Sequence, residues 1–242
     1  MQLITITGGQ TLHGRIRPAA AKNSVLPLLA ATLLCRPPSR LRAVPPLADV
    51  ATSLALLQSV GAKAERQGSD LFVAPGQDLQ GEIPDYLAGA MRSSVFYLAP
   101  LLCRVGEVRL PLPGGCKLGP RPVDIHLAGL AAMGAQVELE GIAVTLRRRG
   151  PLHGVDFALR LPSVGATLMM AATQAGGTTI LRGAACEPEI CDLANFLRAC
   201  GAHITGAGTP VVVIQGGKPL QGTAWTPLPD RIAAATYAAA LA

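Results

Sequence analysis

A short loop around Cys116 holds the residue types that could carry out chemistry. Residues 112–124 contain three glycines and three prolines, a composition typical of a loop rather than a helix or strand. Lys117 adjoins Cys116, and Arg121 lies five positions further on. Nearby positive charge lowers the pKa of a thiol and makes it a better acid or nucleophile. These residues fit either an activated thiol or a turn with an incidental buried cysteine.

Polar and cationic residues also stand at the starts of three apolar segments. Lys22 and Asn23 open the first, Arg92 lies in the first turns of the second, and residues 163–167 open the third. Helix N-termini attract anions because their N–H groups are unpaired and the helix dipole is positive there. We therefore expect an anion site. Plain N-capping by Ser163 and solvated helix ends at Lys22 and Arg92 are the simpler alternatives.

Other polar residues give weaker signals. Glu187 and Glu189 fit a pair of acid–base carboxylates, but an acidic start to the following helix explains them equally well. His126 follows Asp124 on a predicted helix, where we expect it to face solvent. The six cysteines contain no CxxC pair and no Cys/His cluster with zinc spacing, so we expect no metal site and free thiols in a reducing cytoplasm.

Three similar stretches organise the chain. Each has a strand, a nearly all-apolar helix, a short strand, a second helix and two further strands. The predicted apolar helices are residues 23–35, 87–103 and 164–175. A helix that is apolar on all sides should be buried on all sides. The second helices end at Gly61, Gly134 and Gly201, because glycine readily adopts the left-handed conformation that closes a helix.

The repeat predicts one α/β domain with three buried helices inside and strands and amphipathic helices outside. The two ends of the chain do not fit it. We expect a strand pair around Gly8 and Gly9, and a new apolar helix over residues 232–241 whose packing partner is missing.

Composition restricts the partners. The net charge of +6 suits an anionic small substrate, and aromatic residues make up only 3 % of the chain. Single-stranded nucleic acids are usually bound by basic grooves with stacking aromatic side chains, so we expect no nucleic acid partner. The apolar run at residues 25–35 is too short to span a bilayer, so we expect no membrane association.

The same residues together resemble the UDP-N-acetylglucosamine 1-carboxyvinyltransferases. The matching segments are residues 21–23, 113–124, 163–167, 187–190 and 228–232, and the resemblance runs from residue 3 to the end. The Pro-Gly-Gly-Cys loop followed by Gly-x-Arg-Pro-Val-Asp separates this family from its sister, the shikimate-pathway enolpyruvyl transferases.

The resemblance implies an α/β fold, an inside-out α/β barrel of three βαβαββ repeats. The complete barrel domain would span residues 20–229 and carry the catalytic loop at residues 111–121. The second domain of the family would be largely missing and is the expected partner structure. Strands within residues 1–19 and the start of a truncated domain at residues 230–242 would belong to it.

The resemblance also implies the activity. The family transfers the enolpyruvyl group of phosphoenolpyruvate to the 3-hydroxyl of UDP-N-acetylglucosamine and releases phosphate, without a cofactor. This is the first committed step of peptidoglycan synthesis in the cytoplasm, which links the family to cell wall biogenesis, cell shape, cell division and the cell cycle. Fosfomycin targets it by alkylating the loop cysteine.

Residues of this chain match the functional residues of the family. Cys116 matches the general acid. The residues matching the phosphoenolpyruvate site are Lys22, Asn23 and Arg121. The residues matching the UDP-N-acetylglucosamine site are Arg92, Arg121, Pro122, Val123, Asp124, Ser163, Val164 and Gly165.

The chain departs from the family pattern in four ways. Two residues fewer separate residues 165–167 from residues 169–170, Cys186 stands where Arg is usual, and Ala233 stands where Glu is usual. The missing domain would supply an Asp for the sugar hydroxyl and an Arg for phosphoenolpyruvate. The alternatives to a working enzyme are therefore a non-catalytic UDP-sugar-binding fragment or a decayed copy. A basic nucleic-acid-binding module is a third interpretation, for which salt-sensitive DNA binding would be the sign.

Overall fold

A computed structural model of the chain describes residues 3–5, 8–9, 13–111, 123–159 and 165–240. Its helices are α1 (Lys22–Ala31), α2 (Ala48–Ser59), α3 (Asp85–Ala90), α4 (Leu98–Val105), α5 (Asp124–Ala132), α6 (Gly165–Gln174), α7 (Pro188–Ala199) and α8 (Arg231–Ala239). Its strands are β1 (Ser39–Leu41), β2 (Lys63–Gln67), β3 (Asp70–Ala74), β4 (Glu107–Pro111), β5 (Gln136–Glu140), β6 (Ala143–Arg147), β7 (Asp156–Ala158), β8 (Thr178–Arg182), β9 (His203–Thr205), β10 (Val211–Gln215) and β11 (Ala224–Trp225). Within those ranges, every helix is too short or too polar to cross a bilayer.

The strands form three sheets that repeat one pattern. The strand orders are β11-β1-β3-β2, β4-β6-β5 and β7-β8-β10-β9. In each sheet, the last strand of the repeat pairs antiparallel with the two strands that precede it. The predicted threefold repeat is therefore confirmed. The sheets stay separate in the described part of the chain and do not close into a barrel, because helices rather than hydrogen-bonded strands join one sheet to the next.

The first strand of each repeat has a parallel partner. That partner is a strand in the first and third repeats and a single bridging residue in the second, and the first repeat receives its partner strand from near the far end of the chain. β7 runs parallel to β8, and Glu82 forms a parallel bridge with Arg109 of β4. In the first repeat β11 runs parallel to β1, with Arg40 opposite Ala224. The end of the domain thus completes its first sheet, an arrangement that the sequence analysis did not predict.

The strands predicted within residues 1–19 do not form in the described part of that segment. The described residues before Ala20 carry no strand, and nearly all of them are exposed. A stable strand needs a hydrogen-bonded neighbour for its backbone. Such a neighbour first occurs at Ala20, which forms an antiparallel bridge with Pro229.

One hydrophobic core contains the three apolar helices. Leu28 of α1, Leu101 of α4 and Met169 of α6 are all fully buried within it. α4 packs against α6 and against the 3₁₀ turn Thr32–Leu34 that continues α1. The prediction of three buried helices gathered in one centre is confirmed, and the sheets lie outside them.

The second apolar segment, residues 87–103, is not one helix as predicted. α3 ends at Ala90, and the next residue, Met91, has an extended backbone with φ −144° and ψ 138°. The chain continues as the 3₁₀ helix Arg92–Tyr97 before α4 begins. The hydroxyl of Ser94 donates to the carbonyl of Ala88 at 3.2 Å, and it satisfies a backbone group that the break leaves without its helical partner.

The predicted glycine ends of the second helices are confirmed. Gly61, Gly134 and Gly201 follow α2, α5 and α7 with φ of 92°, 103° and 104°. Residues with a Cβ atom rarely adopt this left-handed backbone, so glycine stops each helix at the same point of the repeat.

A buried carboxylate on α7 holds the first and third repeats together. Asp192 is only 6 % exposed. It accepts hydrogen bonds from the hydroxyl of Ser24 in α1, from Trp225 Nε1 of β11 at 3.0 Å and from the Leu228 N–H at 3.2 Å. One side chain therefore fixes the start of a core helix and the returning end of the domain.

His126 on α5 is buried, so the prediction that it faces solvent is wrong. It is 5 % exposed, and its Nδ1 lies 2.8 Å from Thr167 Oγ1 on α6. Burial lowers the pKa of His126 to about 4, and the nearby charge of Arg92 acts in the same direction. The neutral imidazole thus joins two helices. Apolar residues flank His126 on both sides along α5, so the sequence pattern did not indicate which face of the helix is buried.

We predict that Asp192→Ala destabilises the protein by about 2–4 kcal/mol, because it leaves one buried donor, Ser24, and two partly buried donors, Trp225 and Leu228, without an acceptor. Urea unfolding monitored by circular dichroism measures the free energy of unfolding. The control is Asp156→Ala, which removes an ion pair with Arg182 in which both side chains are about half exposed, and which should change stability little. Equal losses in the two variants would contradict the assigned role of Asp192.

We predict that His126 makes the fold acid-sensitive. Its pKa falls from 6.5 in the unfolded chain to about 4 in the folded protein, so the unfolded chain takes up the proton first as the pH drops. The free energy of unfolding should therefore decrease between those two values, by up to ~3 kcal/mol from this group. Urea titrations at several pH values should show a flatter profile for His126→Asn than for the wild type. The exposed His153, changed to Asn, is the control, and parallel profiles for all three proteins would refute the prediction.

Candidate active site

The structure describes part of the predicted site. The predicted residues that it describes are Lys22, Asn23, Arg92, Val123, Asp124 and Gly165. Those that lie outside the described residues are Cys116, Arg121, Pro122, Ser163 and Val164. The geometry that follows concerns the first group.

Each of these residues lies at the start of a helix. Lys22 and Asn23 are the first residues of α1, and Ala21 before them provides no side-chain cap. Arg92 begins the 3₁₀ helix that leads into α4, and Gly165 begins α6. The first N–H groups of a helix have no partner within it, so these starts present donors and positive potential.

The three core helices run in the same direction. Their far ends, at Leu34, Arg104 and Gln174, line a single cavity, and the helices pack in one core between the two ends. The 3₁₀ helix Arg92–Tyr97 also packs against both α1 and α6. Their starts therefore lie together at the opposite end of the core.

Lys22 forms an ion pair that the sequence analysis missed. Its Nζ lies 2.9 Å from Asp49 Oδ2 on α2, and both side chains remain partly exposed. Asp49 is an ordinary first-turn acid in the sequence, and only the packing of α2 against α1 brings it to Lys22. An anion that binds Lys22 would have to share it with this carboxylate.

His126 links the second and third helix starts. It lies between α5 and α6 through Thr167, and the charges of Arg92 and Asp124 both act on its pKa. Arg92, Asp124 and the first turn of α6 are thus close to one buried imidazole. Val123 immediately precedes α5, and its carbonyl accepts the Leu127 N–H at 3.1 Å.

Other groups considered in the sequence analysis belong to the scaffold. Glu189 is buried on α7 and accepts hydrogen bonds from Arg231 at 3.0 and 3.3 Å, so it anchors α8 rather than forming an acid–base pair with Glu187. In the described ranges, no three His, Cys, Asp or Glu side chains lie close enough together to hold a metal ion.

A cavity of about 620 Å³ lies at the far end of the core helices. Its lining residues are Leu34, Arg36, Pro75, Gly76, Gln77, Cys103, Arg104, Gln174, Pro219 and Leu220. None of them is a predicted site residue. α1 with its 3₁₀ continuation rises about 20 Å, at 1.5 Å per residue, between the two ends, so this cavity is separate from the candidate active site.

Comparison with known proteins agrees with this architecture. The family model of EPSP synthase (3-phosphoshikimate 1-carboxyvinyltransferase) matches residues 6–242. Among solved structures, the enolpyruvyl transferase NikO from Streptomyces tendae superposes with a TM-score of 0.83 at 24 % identity, covering 95 % of this chain and 55 % of that one. EPSP synthase from Acinetobacter baumannii gives a TM-score of 0.74 at 19 % identity, covering 93 % and 52 %.

Curated relatives match at higher identity. The UDP-N-acetylglucosamine 1-carboxyvinyltransferase of Cellvibrio japonicus (strain Ueda107) is 44 % identical over 100 % of this chain and 58 % of its own length. That of Oleidesulfovibrio alaskensis is 47 % identical over 98 % of this chain and 57 % of its own length. The chain therefore spans somewhat more than half the length of these relatives. Since the family model covers nearly the whole chain, the chain belongs to the EPSP synthase family, and within it resembles the UDP-N-acetylglucosamine 1-carboxyvinyltransferases.

Proposed function

We propose that this chain is the substrate-binding half of a transferase that moves the enolpyruvyl group of phosphoenolpyruvate to the 3-hydroxyl of UDP-N-acetylglucosamine and releases phosphate. The observation that carries the proposal is that Lys22, Arg92 and Gly165 each begin a helical segment of one shared core, whose opposite ends line a single cavity. The names of relatives at 44 % and 47 % identity support the same reaction.

Both proposed substrates are anions that suit this end of the core. Phosphoenolpyruvate carries a phosphate and a carboxylate, and the nucleotide sugar carries a diphosphate. Unpaired helix N–H groups and the charge of Lys22 attract both. In the proposal, Lys22, Asn23 and Arg121 hold phosphoenolpyruvate, and Lys22 exchanges part of its ion pair with Asp49 for the substrate phosphate.

The nucleotide sugar would bind across the starts of α5 and α6. The proposed contacts are Arg92, Arg121, Pro122, Val123, Asp124, Ser163, Val164 and Gly165. The hydrogen bond between His126 and Thr167 supports this arrangement, because it fixes α5 against α6 before the ligand arrives. A site that is already ordered loses less conformational entropy on binding.

Cys116 is the proposed general acid toward phosphoenolpyruvate. Lys117 and Arg121 flank it in the sequence and would stabilise the thiolate that remains after proton donation. Oriented cations and helix N–H groups would stabilise the charge that develops on the substrates. In the cell, we propose a cytoplasmic role in peptidoglycan synthesis and hence in cell wall formation, cell shape and division.

A non-catalytic UDP-sugar-binding domain is the second candidate. The chain spans 58 % of the length of the Cellvibrio japonicus relative and 57 % of that of the Oleidesulfovibrio alaskensis relative. We propose that a second domain covers α8, none of whose described residues is buried, together with residues 1–19, and completes the active site. Without its Asp and Arg, the chain would bind substrate but not turn it over.

We predict that the chain binds UDP-N-acetylglucosamine and that Asp124→Ala weakens binding about tenfold, the loss of one to two hydrogen bonds. Isothermal titration calorimetry measures the dissociation constant. The matched control is Asp85→Ala, since Asp85 is also an exposed acid at the first position of a helix, α3, but outside the proposed site. Absence of heat at millimolar ligand would refute nucleotide-sugar binding.

A phosphate-release assay with both substrates separates the two candidates. Turnover by this chain would favour the enzyme and show that the groups of the second domain are dispensable. Binding without phosphate release would favour the binding domain. Catalysis should then return only when the segment that the relatives have beyond this chain is also present.

We predict that fosfomycin or a small alkylating agent labels Cys116 before the other five cysteines. Burial protects Cys35 and Cys200, and it raises the pKa of Cys103 to about 12. Exposed Cys186 is the internal comparison. Peptide mass spectrometry over time gives the rate at each thiol.

Substitution of Lys117, the cation next to Cys116, tests whether positive charge causes the fast labelling. Lys117→Met should slow labelling of Cys116 several-fold, because it removes charge that stabilises the thiolate. Arg36→Met, at the far end of the core, should leave the rate unchanged. Faster labelling of Cys186 than of Cys116 in the wild type would count against an activated loop thiol.

A further inference from the structure

Two buried cysteines from different repeats meet at the far end of the core. Cys35 follows the 3₁₀ turn that continues α1, and Cys200 caps the C-terminus of α7. Their Sγ atoms are 3.6 Å apart although the residues are separated by 165 positions in the sequence. Both side chains are at most 1 % exposed. Neither thiol takes part in the proposed reaction.

The backbone holds the two cysteines at this separation. Cys35 forms a parallel bridge with Leu220, and the next residue along the chain, Gln221, donates its N–H to the carbonyl of Cys200 at 2.8 Å. The backbones of both cysteines are therefore held by two consecutive residues, Leu220 and Gln221. Their distance depends on local hydrogen bonds rather than on the flexible packing of two remote helices.

The surroundings make the two thiols chemically unequal. The hydrogen bond with Cys200 lowers the pKa of Cys35, with Arg104 acting in the same direction and burial opposing it. The hydrogen bond with Cys35 and burial raise the pKa of Cys200. Leu34 and Arg36, the neighbours of Cys35 in the chain, line the cavity at the far end of the core, so Cys35 is the thiol that a reagent reaches first and Cys200 is placed to react second.

The cavity at the far end gives a small molecule a route to this pair. Its wall includes Leu34 and Arg36, on either side of Cys35, and Leu220, which bridges it. Cys35 itself does not line the cavity, so a local opening of these side chains must precede reaction. Cys103 does line it, which makes Cys103 the nearest competing thiol.

We propose that Cys35 and Cys200 form a reversible disulfide that cross-links the first and third repeats when the protein meets a small organic disulfide such as oxidised glutathione. The Cys35 thiolate attacks one sulfur of the reagent and displaces one thiolate. Cys200 then attacks the mixed disulfide at Cys35 and displaces the second thiolate. The protein sulfurs lose two electrons to the reagent, and the two protein thiol protons pass to the two released thiolates.

The geometry requires only a short movement. The sulfur atoms must approach from 3.6 Å to about 2.05 Å, the length of a disulfide bond. The bond would close a loop of well over a hundred residues, and long loops give the largest loss of unfolded-chain entropy. Oxidation should therefore stabilise the protein without requiring a rearrangement of its fold.

The test is incubation of the full chain with oxidised glutathione, alkylation of the remaining thiols and peptide mass spectrometry without reductant. We expect one dominant cross-linked species, the Cys35 and Cys200 peptides joined with the loss of two hydrogens and separated again by dithiothreitol. Differential scanning calorimetry should show a melting temperature higher by about 5 °C or more for the oxidised protein. Cys35→Ala and Cys200→Ala should each abolish the cross-link and the shift.

Cys103→Ala is the matched control and should keep both the cross-link and the shift. The wild-type peptide map decides the matter even if a variant fails to fold. Glutathione retained on Cys35 or Cys103 without cross-linking would overturn the proposal. A dominant bond between Cys186 and Cys191, which are near each other at the start of α7, would overturn it as well.

Discussion

Three helices whose middle turns have no polar face impose the architecture. Between end turns that carry polar residues such as Asn23 and Arg104, α1, α4 and α6 have apolar or small residues on all sides, so each must be surrounded by protein rather than packed on one side only. Sheets and amphipathic helices therefore lie outside, and the three helices share one centre. Because the helices run in one direction, their dipoles add at one end of the core. The candidate anion site is thus a consequence of how the core is buried.

The sheet of the first repeat covers part of the core, and a strand from near the far end of the chain completes this sheet. β11 completes the sheet of β1, and Asp192 binds Ser24, Trp225 and Leu228 at the junction. A buried carboxylate is stable there because hydrogen-bond donors surround it. The paired cysteines Cys35 and Cys200 join the same two repeats at the opposite end of α1. Both junctions depend on contacts between residues far apart in the sequence.

Local sequence signals predicted the repeats, the buried helices and their glycine ends, because each depends on a few neighbouring residues. Contacts between repeats could not be read in the same way. Nothing in the sequence near Asp49 indicates that Lys22 will lie 2.9 Å away, and the apolar neighbours of His126 concealed its buried face. The extended backbone at Met91 interrupts a segment whose composition is continuously apolar. The helix starts were predicted as a site, whereas their carboxylate and imidazole neighbours required the fold.

Native-state hydrogen exchange, with and without UDP-N-acetylglucosamine, tests whether the core helices are enclosed and their starts bind the ligand. We expect amides in the middle of α1, α4 and α6 to exchange most slowly in the ligand-free protein, because these parts of the helices are enclosed on all sides. The ligand should add protection at the starts of α5 and α6 and around Arg92, and none around Gln174 at the far end. Core helices that exchange as fast as the outer strands would rule out an enclosed core, and ligand protection centred on the far end would rule out a site at the helix starts.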